Sequence, residues 1–307
     1  MTGEPRFFCA DLSRAVSESV FGTASTGDVW LLLEYPSAWE RKAVEESALP
    51  ASVKEFLRII VKTKPRTRVL LIKNDRLRTS ELAFYVVNTS ETAPLIAKFG
   101  LRDYEQLTEL DIDAIASGNV PSSGEIIEGP LFLVCTHGRR DKCCAKFGYP
   151  LFKSLYASNE GLVWQSSHLG GDRFAANLVC LPHGLFYAHV TEADGQKIMK
   201  EYTAGRMVLN KYRGRACYSH PIQAAEFFVR RETEIAGVDD LRFVESKRVD
   251  KTTWHIRFVQ RESKLEYEIV VKTSISEFKT HITCASDEER HVQQFVMENL
   301  RAAYAVL

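Results

Sequence analysis

The sequence predicts an α/β protein in three parts. A thioredoxin-like sandwich domain spans residues 126–214, a second thioredoxin-like unit precedes it at 1–125, and a small antiparallel α+β appendix follows at 215–307. Three observations carry this reading. Buried-strand runs alternate with helix-spaced runs through the first two parts. The linker-like stretch SGNVPSSGE at 117–125 separates the two series. From residue 241 onward apolar and polar residues alternate, the pattern of antiparallel strands with one wet face. A chain of 307 residues is long for one core, and ordinary domain sizes favour two or three.

In the first unit DVWLLLEY at 28–35 has the length and flanks of a buried strand, as do TRVLLIKND at 67–75 and ELAFYVVN at 81–88. Between the first two, Val53, Phe56, Leu57, Ile60 and Val61 recur at helix spacing in ASVKEFLRIIVKT, behind a Pro50 suited to helix entry. The second unit opens on the strand PLFLVCT at 130–136. Asp141 can cap the helix that follows, although Gly148 and Pro150 predict a break or kink in it. LVWQSSH at 162–168 is the next strand, and NLVCLP (177–182) and LFYAHV (185–190) read as a hairpin around His183-Gly184. TEADGQKIMKEYTAG is a helix with a Thr191 cap and a Gly205 stop. The order strand, helix, strand, strand, strand, helix is that of a thioredoxin-like sandwich. Both units place a polar turn after a buried strand, so the first is either a degenerate duplicate that lost its ligands or a product of generic α/β grammar.

The appendix reads as a helix at 221–237, then four strands in LRFVESKRV, TTWHIRFVQR, LEYEIVVKT and EFKTHITC. A closing amphipathic helix over EERHVQQFVMENLRAAYAVL would gather Val292, Phe295, Val296, Leu300 and Tyr304 on one side.

Forty Lys and Arg balance forty Asp and Glu, which removes the basic footprint of a non-specific nucleic-acid binder. Apolar residues make up 45% and charged residues 26%, an ordinary globular composition. No apolar run reaches the roughly 18 residues of a membrane span, and the first residues resemble neither a secretory signal nor a transit peptide, so a cytoplasmic location is expected. Seven cysteines, an odd number scattered along the chain, argue against a disulfide framework. Cys180 and Cys284 lie in apolar or strand-like runs and read as core.

The chemistry-bearing pattern is CTHGRRDKCC, in which eight residues separate Cys135 from Cys144, followed by HLGGD with His168 and Asp172. Thiolates and imidazole suit zinc or iron–sulfur chemistry. Structural zinc sites take cysteine pairs from tight C-x2–4-C knuckles, whereas the wider loop here can wrap a larger object. Gly170 and Gly171 allow close backbone approach. His137, Arg139 and Arg140 read as loop-shaping residues, Arg173 as a partner for Asp172, and Cys217 as structural. No P-loop, dinucleotide, zincin or serine-hydrolase motif occurs, and no glycosidase carboxylate pair is identifiable.

CTHGRRDKCC followed by HLGGDRFAANLVCLPHGLFYAHV resembles the sucrase/ferredoxin-like family of thioredoxin-like ferredoxins over roughly residues 6–230. The resemblance implies a 2Fe-2S cluster held by a C-x8-C motif and a later two-histidine motif built around Gly-Gly. By position Cys135, Cys144 and His168 would be three ligands, while Asp172 stands where the family has its second histidine. Asp172, Cys143 and His183 are the candidates for the fourth ligand. The resemblance thus implies an electron-transfer protein working with a redox protein partner, more a carrier than a stand-alone enzyme. Two alternatives stay open: a cluster-free thiol oxidoreductase or redox sensor using Cys135, Cys143 and Cys144, and a zinc-stabilised binding module.

Overall fold

A computed structural model describes residues 7–74 and 80–304. The predicted strand 67–75 and the predicted closing helix therefore run at their ends onto Asp75 and onto Ala305, Val306 and Leu307, outside the described residues.

In chain order a short helix α1 (Cys9–Ala15) precedes β1 (Val29–Glu34), α2 (Ala51–Thr63), β2 (Thr67–Lys73), β3 (Leu82–Asn88) and β4 (Leu95–Leu101). α3 (Ile112–Ala116), capped by the Asp111 carboxylate, precedes the stretch expected to be a linker, whose end enters the short β5 (Gly124–Ile126). β6 (Leu131–Cys135) leads into a wide π-helical turn at Cys144–Gly148, which runs without a break into α4 (Tyr149–Ser158). Pro150 does not interrupt this helix because it sits in the first turn, where no N–H bond is lost. β7 (Val163–Ser166), β8 (Leu178–Leu181), β9 (Leu185–Tyr187), α5 (Glu192–Thr203) and β10 (Tyr212–Arg215) complete this part, and Thr191 and Asp194 form a capping box on α5.

All ten strands belong to one mixed sheet, ordered β10-β9-β8-β6-β7-β2-β1-β3-β4-β5. Each half repeats one scheme. β1 is parallel to β2 and antiparallel to β3, and β3 is antiparallel to β4; β6, β7, β8 and β9 pair in the same way. The halves meet where β2 and β7 pair antiparallel through Ile72–Ser166 and Lys73–Gln165.

At that seam the sheet folds on itself. Trp30 of β1 and Phe186 of β9 are five strands apart, about 24 Å in a flat sheet at ordinary strand spacing. Their ring centroids nevertheless lie 5.8 Å apart, and Tyr85 meets Trp164 at the same distance. The inner faces of the halves therefore pack on each other. Strand alternation assigns the residues: Trp30, Leu32, Leu131, Leu133, Cys135, Val179 and Phe186 share the inner core. Leu31, Leu33 and Phe84 point outward beneath Val53, Leu57 and Ile60 of α2. Phe132, Val134 and Cys180 do the same beneath α4 and α5.

The last part holds α6 (His220–Thr233) and a separate antiparallel sheet of β11 (Leu241–Arg248), β12 (Thr253–Gln260), β13 (Leu265–Thr280) and β14 (Arg290–Tyr304). Four strands were expected, but two segments differ. LEYEIVVKT and the EFKT of EFKTHITC form one long strand, HITC lies in the connection after it, and the segment predicted as the closing helix is the fourth strand. Register shifts between Val270 and Val271 and between Ile275 and Lys279 explain the misreading. Along this irregular pairing Val292, Phe295 and Leu300 mimic helical intervals while Val296 points out, 43% exposed. Among the described residues no helix is long and apolar enough to cross a membrane.

Candidate metal centre

Cys135 ends β6, and its position in the alternation turns its thiol into the inner core. The loop after it closes on Asp141, whose carboxylate accepts the Cys143 N–H at 2.8 Å. The chain then winds through the π turn, a feature often found where a helix must present functional groups. Gly148 closes this turn against the strand end: a Cβ there would overlap the Cys135 carbonyl oxygen. Cys144 thereby joins Cys135 in the inner core, and its neighbour Cys143 faces the opposite way, onto α1.

His168 is delivered by the seam between the halves. Beyond β7, the Ser167 N–H donates to the Leu71 carbonyl at 2.8 Å, and the Ser167 hydroxyl accepts the Leu71 N–H at 3.0 Å. The next three carbonyls are each gripped. Leu169 O accepts from the Ser25 hydroxyl and from Arg68, both at 2.9 Å. Gly170 O accepts from Arg213 at 3.0 Å, and Gly171 O from the Asn177 amide at 2.9 Å. Gly170 and Gly171 take φ of 98° and 81°, the left-handed region in which glycine carries no Cβ penalty. Arg68 and Arg213 were not singled out from the sequence; neither lies in a ligand-like motif, and Arg68 reaches the loop from the other half.

One donor atom from each of Cys135, Cys144 and His168 lies within 4.8 Å of the other two. Asp172 touches two of these residues: its Oδ1 is 3.6 Å from the Cys144 sulfur and 3.1 Å from His168 Nδ1. The two cysteines and Asp172 are buried, while the His168 side chain keeps 27% exposure. The Cys144 thiol and then His168 hold the Cys135 pKa well below its usual value, against the effect of burial. Beside that thiolate, and buried near Asp172, Cys144 is pushed well up. Burial opposes the charged form of His168, but Asp172 and Cys135 outweigh it and raise the pKa to about 9. The surroundings thus favour the anionic form of Cys135, the protonated form of His168 and the neutral form of Cys144.

The other sequence candidates lie elsewhere. The Cys143 sulfur contacts Cys9 at 3.5 Å and Cys284 at 3.3 Å and does not join this centre. His183 Nδ1 pairs with the Tyr202 hydroxyl at 2.6 Å on the hairpin turn. Arg173 pairs with Glu18 at 2.8 Å, so Asp172 is free to face the site. His137 is buried rather than solvating, with Nε2 at 2.8 Å from the Glu40 carbonyl and its ring edge-on to Trp39. Arg139 is exposed and paired with Glu40. Arg140 lines a groove beside His168, Cys217 belongs to neither thiol group, and Cys180 is core. Cys284 is buried as expected, yet it stands in a thiol group that no spacing announced.

In comparison with known proteins, the family model described as Sucrase/ferredoxin-like matches residues 20–214, a span containing every residue of this centre. No curated protein and no solved structure matches the chain.

Proposed function

The chain belongs to the sucrase/ferredoxin-like family, and from that premise we propose that it is an electron carrier holding one 2Fe-2S cluster through Cys135, Cys144, His168 and Asp172. The observation that carries this reading is the convergence of two buried thiols and an imidazole, from two distant segments, onto one point. Asp172 reaches two of the three, and soft thiolates with imidazole are the donor chemistry of mixed-ligand iron–sulfur sites. Such a cluster, when bound, supplies one-electron carriage.

The protein's own residues do the rest. The surroundings of Cys144 and His168 favour their protonated forms, so each must release a proton to ligate and loading is favoured as pH rises. Arg68, Arg213, Ser25 and Asn177 fix the backbone that carries His168. His168 is the one exposed ligand candidate, and it opens on a groove of about 920 Å³. Arg41, Lys42, Lys54, Arg58, Lys62 and Arg140 line that groove, with Glu45 and Glu55 between them. A redox protein partner with an acidic face suits this rim, because opposite charge steers encounter.

The repeated pairing scheme supports reading each half-sheet as thioredoxin-like and the first half as a duplicate without ligands: where β6 ends in Cys135, β1 ends in Glu34. Seven cysteines without a disulfide suit a reducing compartment such as the cytoplasm. Burial of both Cys135 and Cys144 weighs against exchange of disulfides with a partner protein.

Anaerobic purification with iron and sulfide analysis, followed by electron paramagnetic resonance of the reduced protein, tests the proposal. About two irons and two sulfides per chain are expected. Cys144→Ala and His168→Ala should lose or alter the signal, and an unchanged spectrum in both variants would overturn the ligand assignment.

A further inference from the structure

A second thiol group lies on the other side of the KCC turn. Cys9 from α1, Cys143 from the turn and Cys284 from the connection between β13 and β14 bring their sulfurs together at 3.5, 3.3 and 3.6 Å. All three are buried, as is Asp141, whose carboxylate oxygens stand 3.9 and 3.8 Å from the Cys9 sulfur. We infer that Cys9, Cys143, Cys284 and Asp141 form a structural zinc site, separate from the Cys135 centre, which fastens both ends of the chain to the turn carrying Cys144.

Distance, chemistry and polarity each favour a single tetrahedral ion. Zinc–sulfur bonds of about 2.3 Å in tetrahedral geometry set sulfurs roughly 3.8 Å apart, close to the spacing found. Sulfurs bound to different irons of one cluster stand farther apart. Thiols that merely fill a core need no carboxylate among them, yet Asp141 is buried at the centre of this group. Each Asp141 oxygen accepts one backbone N–H, from Cys143 at 2.8 Å and from Cys284 at 2.7 Å. Each oxygen keeps a lone pair for a metal, and the same bonds fix the two cysteines. Backbone N–H groups also point at sulfur, Cys9 N–H at Cys284 and Ala10 N–H at Cys143, as suits thiolates. A bound zinc ion would compensate the buried charge of Asp141 and of the sulfurs it deprotonates. Zinc binding would displace the thiol protons to solvent.

Cys9 and Cys284 lie outside the span matched by the family model, so this site belongs to the chain's own additions. It joins segments 134 and 141 positions apart in sequence. The helix α1 has only seven residues, too few to hold itself in place.

The test is elemental analysis and zinc-edge X-ray absorption on the full chain purified without chelator. About one zinc per chain is expected, with three sulfur neighbours and one oxygen. Cys135→Ser/His168→Ala, which removes the first centre, should keep that zinc. Cys9→Ser, at the chain's start where the fold can tolerate loss of one contact, and Cys284→Ser should each cut zinc at least tenfold while iron is retained. Cys217→Ser should change neither metal. Less than a tenth of an equivalent of zinc in the wild-type chain, together with no uptake of added Zn2+ by the Cys135→Ser/His168→Ala protein, would overturn the inference. Loss of zinc on removing the first centre would overturn it as well, and so would zinc unchanged in Cys284→Ser.

Discussion

In the proposed cluster site Asp172 would place a carboxylate where the resemblance implies an imidazole, and so would set the site's electronic character. Restoring the histidine removes a negative charge beside the iron. Asp172→His should therefore raise the midpoint potential, on the order of 100 mV, in redox titration followed by electron paramagnetic resonance. A potential that stays put would mean that Asp172 is not a ligand and does not feel the cluster. Gly148 acts by size instead. A methyl group there meets the Cys135 carbonyl, so Gly148→Ala should cost about 1–3 kcal/mol in chemical denaturation and lower the iron content. His189 tests electrostatics away from the ligands. Burial, with the charges of Arg14, Lys211 and Arg213 nearby, lowers its pKa to about 4. Unfolding lets it take up a proton at any pH between that value and its ordinary value of about 6.5. Stability is therefore lost as pH falls through this window, by about 1–3 kcal/mol once below it. His189→Asn, which tolerates the φ of 50° at this position, should flatten the acid limb of a melting-temperature profile between pH 7 and 4.

At the scale of elements, β14 shows what alternation can hide. Val292, Phe295, Val296 and Leu300 are spaced like a helix stripe in a strand whose register shifts twice, by one extra residue of β14 between Met297 and Asn299 and by two extra residues of β13 opposite the step from His291 to Gln293. A bulge leaves no mark in one sequence, since it is fixed by the partner strand and not by the bulged segment itself. Phe295→Ala and Val296→Ala separate the two readings. In a helix both face the core, but in the strand Phe295 is buried and Val296 is exposed. The expected costs are about 3–5 kcal/mol for the first and within about 0.5 kcal/mol for the second. Comparable losses would restore the helix.

The same contrast separates what was legible at the site. Cys135, Cys144, His168 and Asp172 sit in two compact motifs whose turn chemistry is local; the first three bring donor atoms within reach of one point, and Asp172 touches Cys144 and His168. Cys9 and Cys284 carry no spacing signal; only the doubled cysteine at 143 and 144 hinted that a second thiol must face elsewhere. β1 to β3 and β6 to β9 were legible from their apolar runs, whereas β4, β5 and β10 were not read as strands. The joining of the halves through β2 and β7 was not legible, because two pairs of residues at a seam have no pattern of their own.

For the whole molecule, that seam makes the first half part of the support of the proposed metal centre. Arg68 and Ser25 hold the Leu169 carbonyl, Leu71 brackets Ser167, and the Glu40 carbonyl pairs with His137. The inner face of the second half also packs on Trp30, Leu32, Leu70, Ile72, Tyr85 and Val87 of the first. Six such side chains, each stabilising by about 1.5–3 kcal/mol when buried, supply on the order of 10 kcal/mol. That matches the whole net stability of a typical domain, about 5–15 kcal/mol. A fragment of residues 126–214 alone, although it contains every proposed cluster ligand, should thus fail to fold cooperatively and should bind the dye 1-anilinonaphthalene-8-sulfonate and lack stoichiometric iron. Co-expression with residues 1–125 should recover part of the folded signal by re-covering that face. Circular dichroism melts and iron analysis of the fragment decide the matter: a sharp transition with a full complement of iron would show that the ligand-bearing half is an independent domain and that the first half is dispensable to the centre.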